Sequence, residues 1–232
     1  EISWRMSVVS RVDGVAPIGR YQRSKVMRLR SATTSVVGLA AMMVAGSLTP
    51  VCFKTVAACS YALARAARHA GATVTLVSGP VSFSAPQGVD RNNVRSALEM
   101  HAAVMARAGE ADIFIGVAAV ADYRVANAAE HKLKKDTGGI PPIELVENPD
   151  ILAEVAALKD GPFCVGFAAE SQNLEAYAQA KRKKKNIPLI AGNLIQDGFG
   201  GDDNTLILFD EAGAHPLKPA AKSVLASQLI KH

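Results

Sequence analysis

The sequence has few cysteines, and their spacing excludes two classes of protein. Only three occur among 232 residues, Cys52, Cys59 and Cys164, with neither CxxC nor zinc-finger spacing. An odd number of widely spaced cysteines argues against a disulfide framework and favours a reducing compartment, so we expect a cytoplasmic protein. Hydrophobic residues still make up 49% of the chain, which is ample for a folded core.

The motifs of several common enzyme classes are missing as well. The five histidines show neither HExxH nor paired-ligand spacing, so a metal hydrolase is not expected. No GxSxG nucleophile elbow and no GxxxxGK[ST] phosphate loop occur. The glycines at 198, 200 and 201 do not follow a strand and open a helix as GxGxxG requires, which weakens the case for a nicotinamide oxidoreductase. Cys164 lies in an apolar segment and is interpreted as a core residue.

The net charge of +5 is confined to the N-terminal quarter of the chain. Residues 1–54 contain eight basic and two acidic residues, which leaves 18 basic and 19 acidic residues in the remainder. The folded body therefore lacks the basic surface of a nucleic-acid-binding protein, and no nucleic-acid partner is expected. We interpret residues 1–35 as an atypical basic segment, foreign to the rest of the chain, and residues 36–232 as one domain.

An apolar run from Val36 to Val51 raises the question of a targeting segment. It follows an arginine-rich stretch and leads to Val56-Ala57-Ala58-Cys59, which is similar to a lipoprotein cleavage box. Yet the run has about 16 residues and contains Pro50, whereas a membrane helix needs roughly 20 apolar residues. A buried first strand is the favoured interpretation, and no membrane association is expected.

From Tyr61 onward the sequence alternates between helical and strand patterns. A helix ending at Gly71 precedes the β-branched run 72–77, which is the order that builds a parallel sheet. The predicted fold is a doubly wound, mostly parallel, Rossmann-like α/β sheet with a small C-terminal β extension. Ligands of such sheets bind at the carboxyl ends of the strands. Further strands are predicted at 112–120, 143–146, 163–167, 189–194 and 205–210, and further helices after Asn92 or Asn93 with Leu98 inward, after an Asn148 cap, at 174–185 and from about 219.

The loop after the most apolar strand carries the first candidate site residues. Ala118 to Arg124 reads AAVADYR. Small residues at a strand end allow a base or sugar to approach the backbone, and Asp122 could accept hydrogen bonds from ribose or hold a magnesium-bound phosphate. The alternative is that Asp122 only caps a turn and pairs with Arg124.

Two lysine clusters are the second candidate. Lys181 and Lys185 lie one turn apart on a predicted helix and could converge with Lys132 on a triphosphate, where cations stabilise charge developing at phosphorus. The alternative is a solvated helix terminus, where cations are favoured in any case. Spacing alone leaves both interpretations open.

Taken together, nine segments resemble one family. They are ATVTLVSGP at 72–80, IFIGVAAVADYR at 113–124, KLKK at 132–135, NPDI at 148–151, AALKD at 156–160, VGFAAE at 165–170, the basic block at 181–186, Asn193, and GFGGDDN at 198–204. In this order they are similar to the phosphopantothenoylcysteine synthetase domain of the bacterial coenzyme A biosynthesis protein, a phosphopantothenate-cysteine ligase. The resemblance covers about residues 59–232.

The resemblance implies a CTP-dependent amide ligation. In that family the carboxylate of 4'-phosphopantothenate attacks the α-phosphate of CTP, which releases pyrophosphate and gives an acyl-cytidylate. The amine of cysteine then displaces CMP from this intermediate. It also implies Mg²⁺ and a homodimer. Lys132 is matched to catalysis. The positions matched to the nucleotide site are Gly116, Val117, Ala118, Asp122, Lys132, Asn148, Pro149, Asp150, Ile151, Phe167, Lys181 and Lys185.

The resemblance fails upstream of residue 59. The family has a phosphate-binding turn similar to AGPTREPLDPVR and then SNxSSGKMG, and here their arginines, asparagine and glycine pair are absent. Cys59 and Ser60 stand where methionine and glycine are expected. A reading-frame shift would account for this, because codons for Asn-Arg-Ser-Ser-Gly read one base later give Thr-Val-Ala-Ala, residues 55–58. As the chain stands, we expect nucleotide binding with severely impaired ligation; the alternative is a degenerate nucleotide-binding or assembly module.

Overall fold

The computed structural model describes residues 6–7, 26–27, 35–40, 50–128, 142–194 and 203–232. Lys132, the glycine turn at 198–202 and most of the basic segment 1–35 lie outside these ranges. None of the helices in the described ranges combines the length and hydropathy needed to cross a membrane.

Fourteen short strands occur in the described residues. In chain order they are β1 (Met6–Ser7), β2 (Val26–Met27), β3 (Ser35–Ala40), β4 (Thr73–Ser78), β5 (Val89–Asn93), β6 (Ile113–Gly116), β7 (Tyr123–Val125), β8 (Leu145–Glu147), β9 (Phe163–Glu170), β10 (Leu189–Leu194), β11 (Asp203–Asn204), β12 (Ile207–Phe209), β13 (Ala214–Pro216) and β14 (Ala220–Ala221).

Five helices accompany them: α1 (Pro50–His69), α2 (Ala97–Ala108), α3 (Ile151–Ala156), α4 (Leu174–Lys184) and α5 (Lys222–Lys231). α1 begins at a proline, which suits the first helical position because its missing N–H would have no partner there. The helix stops before Gly71, which takes a left-handed conformation with φ +95°.

Eight strands form one sheet, in the order β13-β12-β10-β9-β6-β3-β4-β5. The six strands from β10 to β5 are parallel to their neighbours, while β12 and β13 add an antiparallel edge. The prediction of a mostly parallel sheet with a small C-terminal β extension is thereby confirmed. The first part of the apolar run, residues 36–40, lies in the central strand β3, which agrees with the strand interpretation, whereas Pro50 and Val51 begin α1.

Alternate residues of each strand face opposite sides of the sheet, and each side has its own core. On one side Ile113 and Ile115 pack with buried residues of α1 and α5. On the other side Phe114 packs with buried residues of α2, α3 and α4. Helices on both faces of a parallel sheet are the doubly wound arrangement, which the alternation of helix and strand patterns predicted.

The predicted start of the second helix was wrong. Asn92 and Asn93 belong to β5, because pairing with β4 keeps the chain extended through both. The helix cap is Ser96, whose Oγ accepts a hydrogen bond from the N–H of Glu99 at 3.1 Å. Leu98, predicted to point inward, is 46% exposed.

Two further boundaries differ from the prediction. The strand predicted at 112–120 ends at Gly116, so the small residues that follow form a loop. The helix after Asn148 is capped by Asp150, whose Oδ1 accepts from the N–H of Ala153 at 3.1 Å. The side chain of Asn148 does not cap α3 and instead forms a hydrogen bond within the candidate site.

Candidate functional site

A cleft of about 550 Å³ lies where β6 and β9 end. These strands are neighbours, with Gly116 opposite Gly166, so their carboxyl ends open onto the same edge of the sheet. The strand order also reverses between β3 and β6, which is where doubly wound sheets bind ligands. The lining residues are Gly116, Ala118, Ala119, Val120, Ala121, Asp122, Tyr123, Glu147, Asn148, Pro149, Asp150, Ile151, Leu152, Phe167, Lys181, Lys184 and Lys185.

One wall of the cleft is held by the antiparallel β7–β8 ribbon. The N–H of Asn148 donates to the carbonyl of Asp122 at 2.7 Å, and its side-chain Nδ2 donates to the carbonyl of Ala121 at 2.8 Å. Arg124 links the two strands of the ribbon, because its Nη1 donates to the carbonyl of Glu147 and lies 3.3 Å from Oδ1 of Asn148. The alternative in which Arg124 pairs with Asp122 is therefore not the arrangement observed.

The opposite wall begins at α3. Asp150 caps this helix with one carboxylate oxygen and pairs through the other with Nζ of Lys185. Burial would raise the pKa of Asp150, but the hydrogen bonds from Lys185 and from the N–H of Ala153 outweigh it and lower that pKa. The Asp150 carboxylate is thus kept ionised and fixes the Lys185 cation at the rim of the cleft.

Lys181 reaches into the cleft from α4. Its Nζ donates to the carbonyl of Phe167, in the second half of β9, over 2.7 Å. Burial lowers the pKa of this ammonium, and the neighbouring Lys185 cation lowers it further, while Glu170, Asp150 and Asp122 oppose the shift. A cation held in such a partly dry position gains stability when an anion enters beside it.

Ten of the twelve positions predicted for the nucleotide site line this one cleft, although they come from four separate segments of the chain. Val117 is buried in the core and does not line it. Lys132 lies outside the described residues, so its role stays a prediction. The prediction missed seven lining residues: Glu147, Leu152 and Lys184, which directly adjoin predicted residues, and Ala119, Val120, Ala121 and Tyr123 of the segment that follows Ala118.

The chemistry that the cleft offers is anion binding beside a neutral, small-residue surface. Gly116 and Ala118 leave room for a planar group to approach the backbone. Lys181 and Lys185 supply two cations, and Asp122 supplies a carboxylate near them. By contrast, burial raises the pKa of Cys164 to about 12, which agrees with its interpretation as a core residue rather than a nucleophile.

The described part of the segment where the resemblance fails is the beginning of α1, since residues 41–49 lie outside the described ranges. Ala57 is fully buried and Ser60 is 3% exposed, with its Oγ donating back to the carbonyl of Val56 at 2.9 Å. Burial raises the pKa of Cys59. These side chains pack against the sheet and present no charged donor to a substrate.

Comparison with known proteins identifies the family. The family model "DNA/pantothenate metabolism flavoprotein C-terminal domain" matches residues 57–232. The coenzyme A biosynthesis bifunctional protein CoaBC of Vibrio cholerae is 50% identical over 175 residues, which cover 73% of this chain and 44% of that protein. The chain therefore spans less than half the length of this curated relative.

Two solved structures share the fold. The crystal structure of the C-terminal domain of CoaBC is 28% identical, with a TM-score of 0.68 over 87% of this chain and 94% of that one. A Cab2 mutant in complex with phosphopantothenate-cysteine is 13% identical and has a TM-score of 0.66 over 85% of this chain and 84% of that one, which shows the fold alone. The resemblance stated from the sequence motifs is confirmed, and the chain belongs to the family of the DNA/pantothenate metabolism flavoprotein C-terminal domain.

Proposed function

We propose that this chain is the CTP-binding ligase domain of a phosphopantothenate-cysteine ligase, which acts in coenzyme A biosynthesis. The observation that carries the proposal is the convergence of Gly116, Asp122, Lys181 and Lys185 on one cleft at the carboxyl edge of the sheet. The 50% identity to a coenzyme A biosynthesis protein supports the choice of reaction.

Each residue of the cleft has a role in this proposal. The cytidine lies against the small residues at Gly116 and Ala118, with Asp122 accepting from the ribose or acting near the phosphates. Lys181 and Lys185 bind the triphosphate and offset the charge that grows as the carboxylate of 4'-phosphopantothenate attacks the α-phosphate. Lys132 acts at the same phosphate, as the matched motif predicts, and the cysteine amine completes the amide bond.

The proposal includes a magnesium ion that arrives with the triphosphate, and the carboxylate of Asp122 in the cleft supports it. Mg²⁺ is usually held by one or two carboxylates together with phosphate oxygens, and it keeps several waters. Asp122 lines the cleft and does not cap α3. Asp150, in contrast, already accepts a hydrogen bond from the N–H of Ala153 and forms an ion pair with Lys185. Asp122 would therefore hold the ion, which when bound offsets phosphate charge.

A second candidate function follows from α1. Where the family carries an asparagine-containing loop, this chain has the buried helical residues Ala57 and Ser60. Substrate phosphate would then lack its charge-assisted donors, each worth about 1.5–3 kcal/mol. The second candidate is a CTP-binding module of the same fold that does not complete the ligation.

Two measurements on one sample distinguish the candidates. CTP binding is followed by calorimetry with Mg²⁺, and turnover is followed by pyrophosphate release with CTP, 4'-phosphopantothenate and cysteine. CTP binding with pyrophosphate release far below that of the Vibrio cholerae relative assayed alongside is the expected result. Release at the rate of that relative would refute the predicted impairment, while binding without any release favours the module. Absence of CTP binding at millimolar concentration would contradict both candidates.

The proposal includes a homodimer. Four large apolar side chains, Tyr123, Val125, Ile143 and Leu145, are between 45% and 70% exposed on and beside the β7–β8 ribbon. A two-stranded ribbon is marginally stable by itself, so a second copy covering it would stabilise the wall of the cleft. Light scattering on the purified chain tests this: a dimer that Leu145→Lys converts to a monomer is expected, and a monomeric wild-type chain would contradict it.

A further inference from the structure

A second cluster of chemically capable side chains lies outside the cleft. Asp210 follows β12, His215 lies on β13, and His232 directly follows the helix α5. Nε2 of His215 is 2.9 Å from Oδ1 of Asp210, and Nε2 of His232 is 3.9 Å from Oδ2 of the same carboxylate. Among the described residues, these three form a group whose ligand atoms all lie within 4.8 Å of one another.

The cluster lies beside the amino ends of the parallel strands, and the cleft lies at their carboxyl ends. β12 runs antiparallel to β10 and pairs Phe209 with Ile190, near the start of β10. Asp210 therefore lies beside the amino ends of the parallel strands, whereas the cleft lies at their carboxyl ends. A ligand bound at the cluster cannot take part in chemistry at the cleft.

The spacing of the three side chains suits a small cation. Ligand atoms about 2.0–2.1 Å from a tetrahedral ion are roughly 3.3 Å apart. One imidazole nitrogen lies 2.9 Å from Oδ1 of the carboxylate and the other 3.9 Å from Oδ2, and one ligand atom from each of the three residues falls within 4.8 Å of the others. The side chains of Asp210, His215 and His232 are each 30–38% exposed, so an ion can enter from solvent and water can complete its coordination.

The carboxylate is already oriented for this role. Oδ1 of Asp210 accepts from the N–H groups of Ala212 and Gly213 at 2.8 Å and 3.0 Å, which fixes the carboxylate in the turn between β12 and β13. Oriented carboxylates of this kind are typical of ligands in metal sites. Two imidazole nitrogens with one carboxylate favour zinc and its first-row neighbours over magnesium or calcium, which prefer oxygen ligands alone.

We propose that Asp210, His215 and His232 form a structural site for a zinc-class divalent ion, which ties the last helix to the antiparallel edge of the sheet. α5 is otherwise held through its apolar face, where Leu225, Ala226, Leu229 and Ile230 are buried. The ion adds a polar link at the end of that helix, and it does so without altering the cleft. An ion that binds the folded chain but not the unfolded chain raises the melting temperature.

The test is a zinc titration of the full chain, stripped of metal with a chelator and then dialysed. Calorimetry is expected to show one Zn²⁺ bound per chain, and excess Mg²⁺ is expected not to displace it. His215→Gln and His232→Gln should each weaken binding by more than about tenfold, since even outer-shell partners are worth that much. At a zinc concentration that saturates the wild type, the rise in melting temperature should be clearly larger for the wild type than for either variant.

His69→Gln is the matched control, because His69 is an exposed histidine at the end of α1 and belongs to no cluster among the described residues. Its zinc affinity should equal that of the wild type. Equal affinity in the control and in both cluster variants would overturn the site, as would the absence of saturable binding by the wild type. His232 lies at a helix end, so His232→Gln keeps the test valid if His215→Gln folds poorly. CTP affinity, measured in parallel, is expected to be the same in all these variants.

Discussion

Replacing Lys181 by methionine removes the half-buried cation of the cleft while keeping the length of its side chain. The Lys181 ammonium is partly desolvated, and its Nζ donates only to the carbonyl of Phe167 among the hydrogen bonds given above. A bound triphosphate would offer it a charged acceptor, and charge-assisted hydrogen bonds contribute about 1.5–3 kcal/mol. Lys181→Met is therefore expected to weaken CTP binding about 10- to 150-fold.

The assay is isothermal titration with CTP and Mg²⁺, and Lys183→Met is the control. Lys183 is on the same helix and carries the same charge, but it is exposed and does not line the cleft. Both variants change the net charge equally, so a difference between them reports the position of Lys181. The melting temperatures are measured alongside to show that both variants fold.

Either of two results would contradict a direct contact between Lys181 and the triphosphate. If Lys181→Met and Lys183→Met weaken CTP binding equally, the lysines act only through the overall positive charge of α4. If neither variant changes the affinity, the triphosphate does not lie beside Lys181, and the proposed orientation of the nucleotide is wrong.

Three other predictions concern stability and the coding sequence. Asp150→Asn keeps the helix cap but removes the ion pair with Lys185. Because the pKa of Asp150 is lowered in the folded chain, its ionised form stabilises the fold above the unfolded pKa of about 3.9, and this contribution is lost as the pH falls through the folded pKa. Urea unfolding of the variant should therefore show a lower free energy of unfolding than the wild type at pH 7 but not in acid, and a pH-independent difference would contradict this. Gly166→Ala should lower the free energy of unfolding in urea by about 1–3 kcal/mol, because the added Cβ would lie 2.8 Å from Ile187 Cδ1. Gly109→Ala is the control, since a Cβ there meets nothing within 4 Å. Equal losses of stability in the two variants would contradict the packing argument. Sequencing the DNA across codons 40–60 should reveal a shifted frame, and an uninterrupted in-frame read would exclude it.

The fold was predictable because its signals are local. The apolar run around Ile113 and the switch to helical spacing around Tyr61 identify strand and helix without knowledge of their neighbours. What failed were boundaries set by tertiary pairing. Asn92 has a good capping side chain, yet the ladder between β5 and β4 keeps it extended and moves the cap to Ser96.

The candidate site was predictable where short motifs carry it. NPDI and ADYR each contribute several residues, and the resemblance fixed their meaning better than spacing did. The roles of single side chains were harder to predict from the sequence. That Asn148 binds the carbonyl of Ala121 while Asp150 caps α3 depends on the β7–β8 ribbon, which brings together residues 27 positions apart. The cluster of Asp210, His215 and His232 has no regular spacing, so only the folded hairpin and helix bring it together.

A crystal structure of the chain with CTP and Mg²⁺ would show directly whether the cleft binds the nucleotide as proposed. We expect cytidine density against the loop from Gly116 to Asp122, with the triphosphate between Lys181 and Lys185. Nucleotide density at any other place, or an empty cleft at saturating CTP, would contradict it.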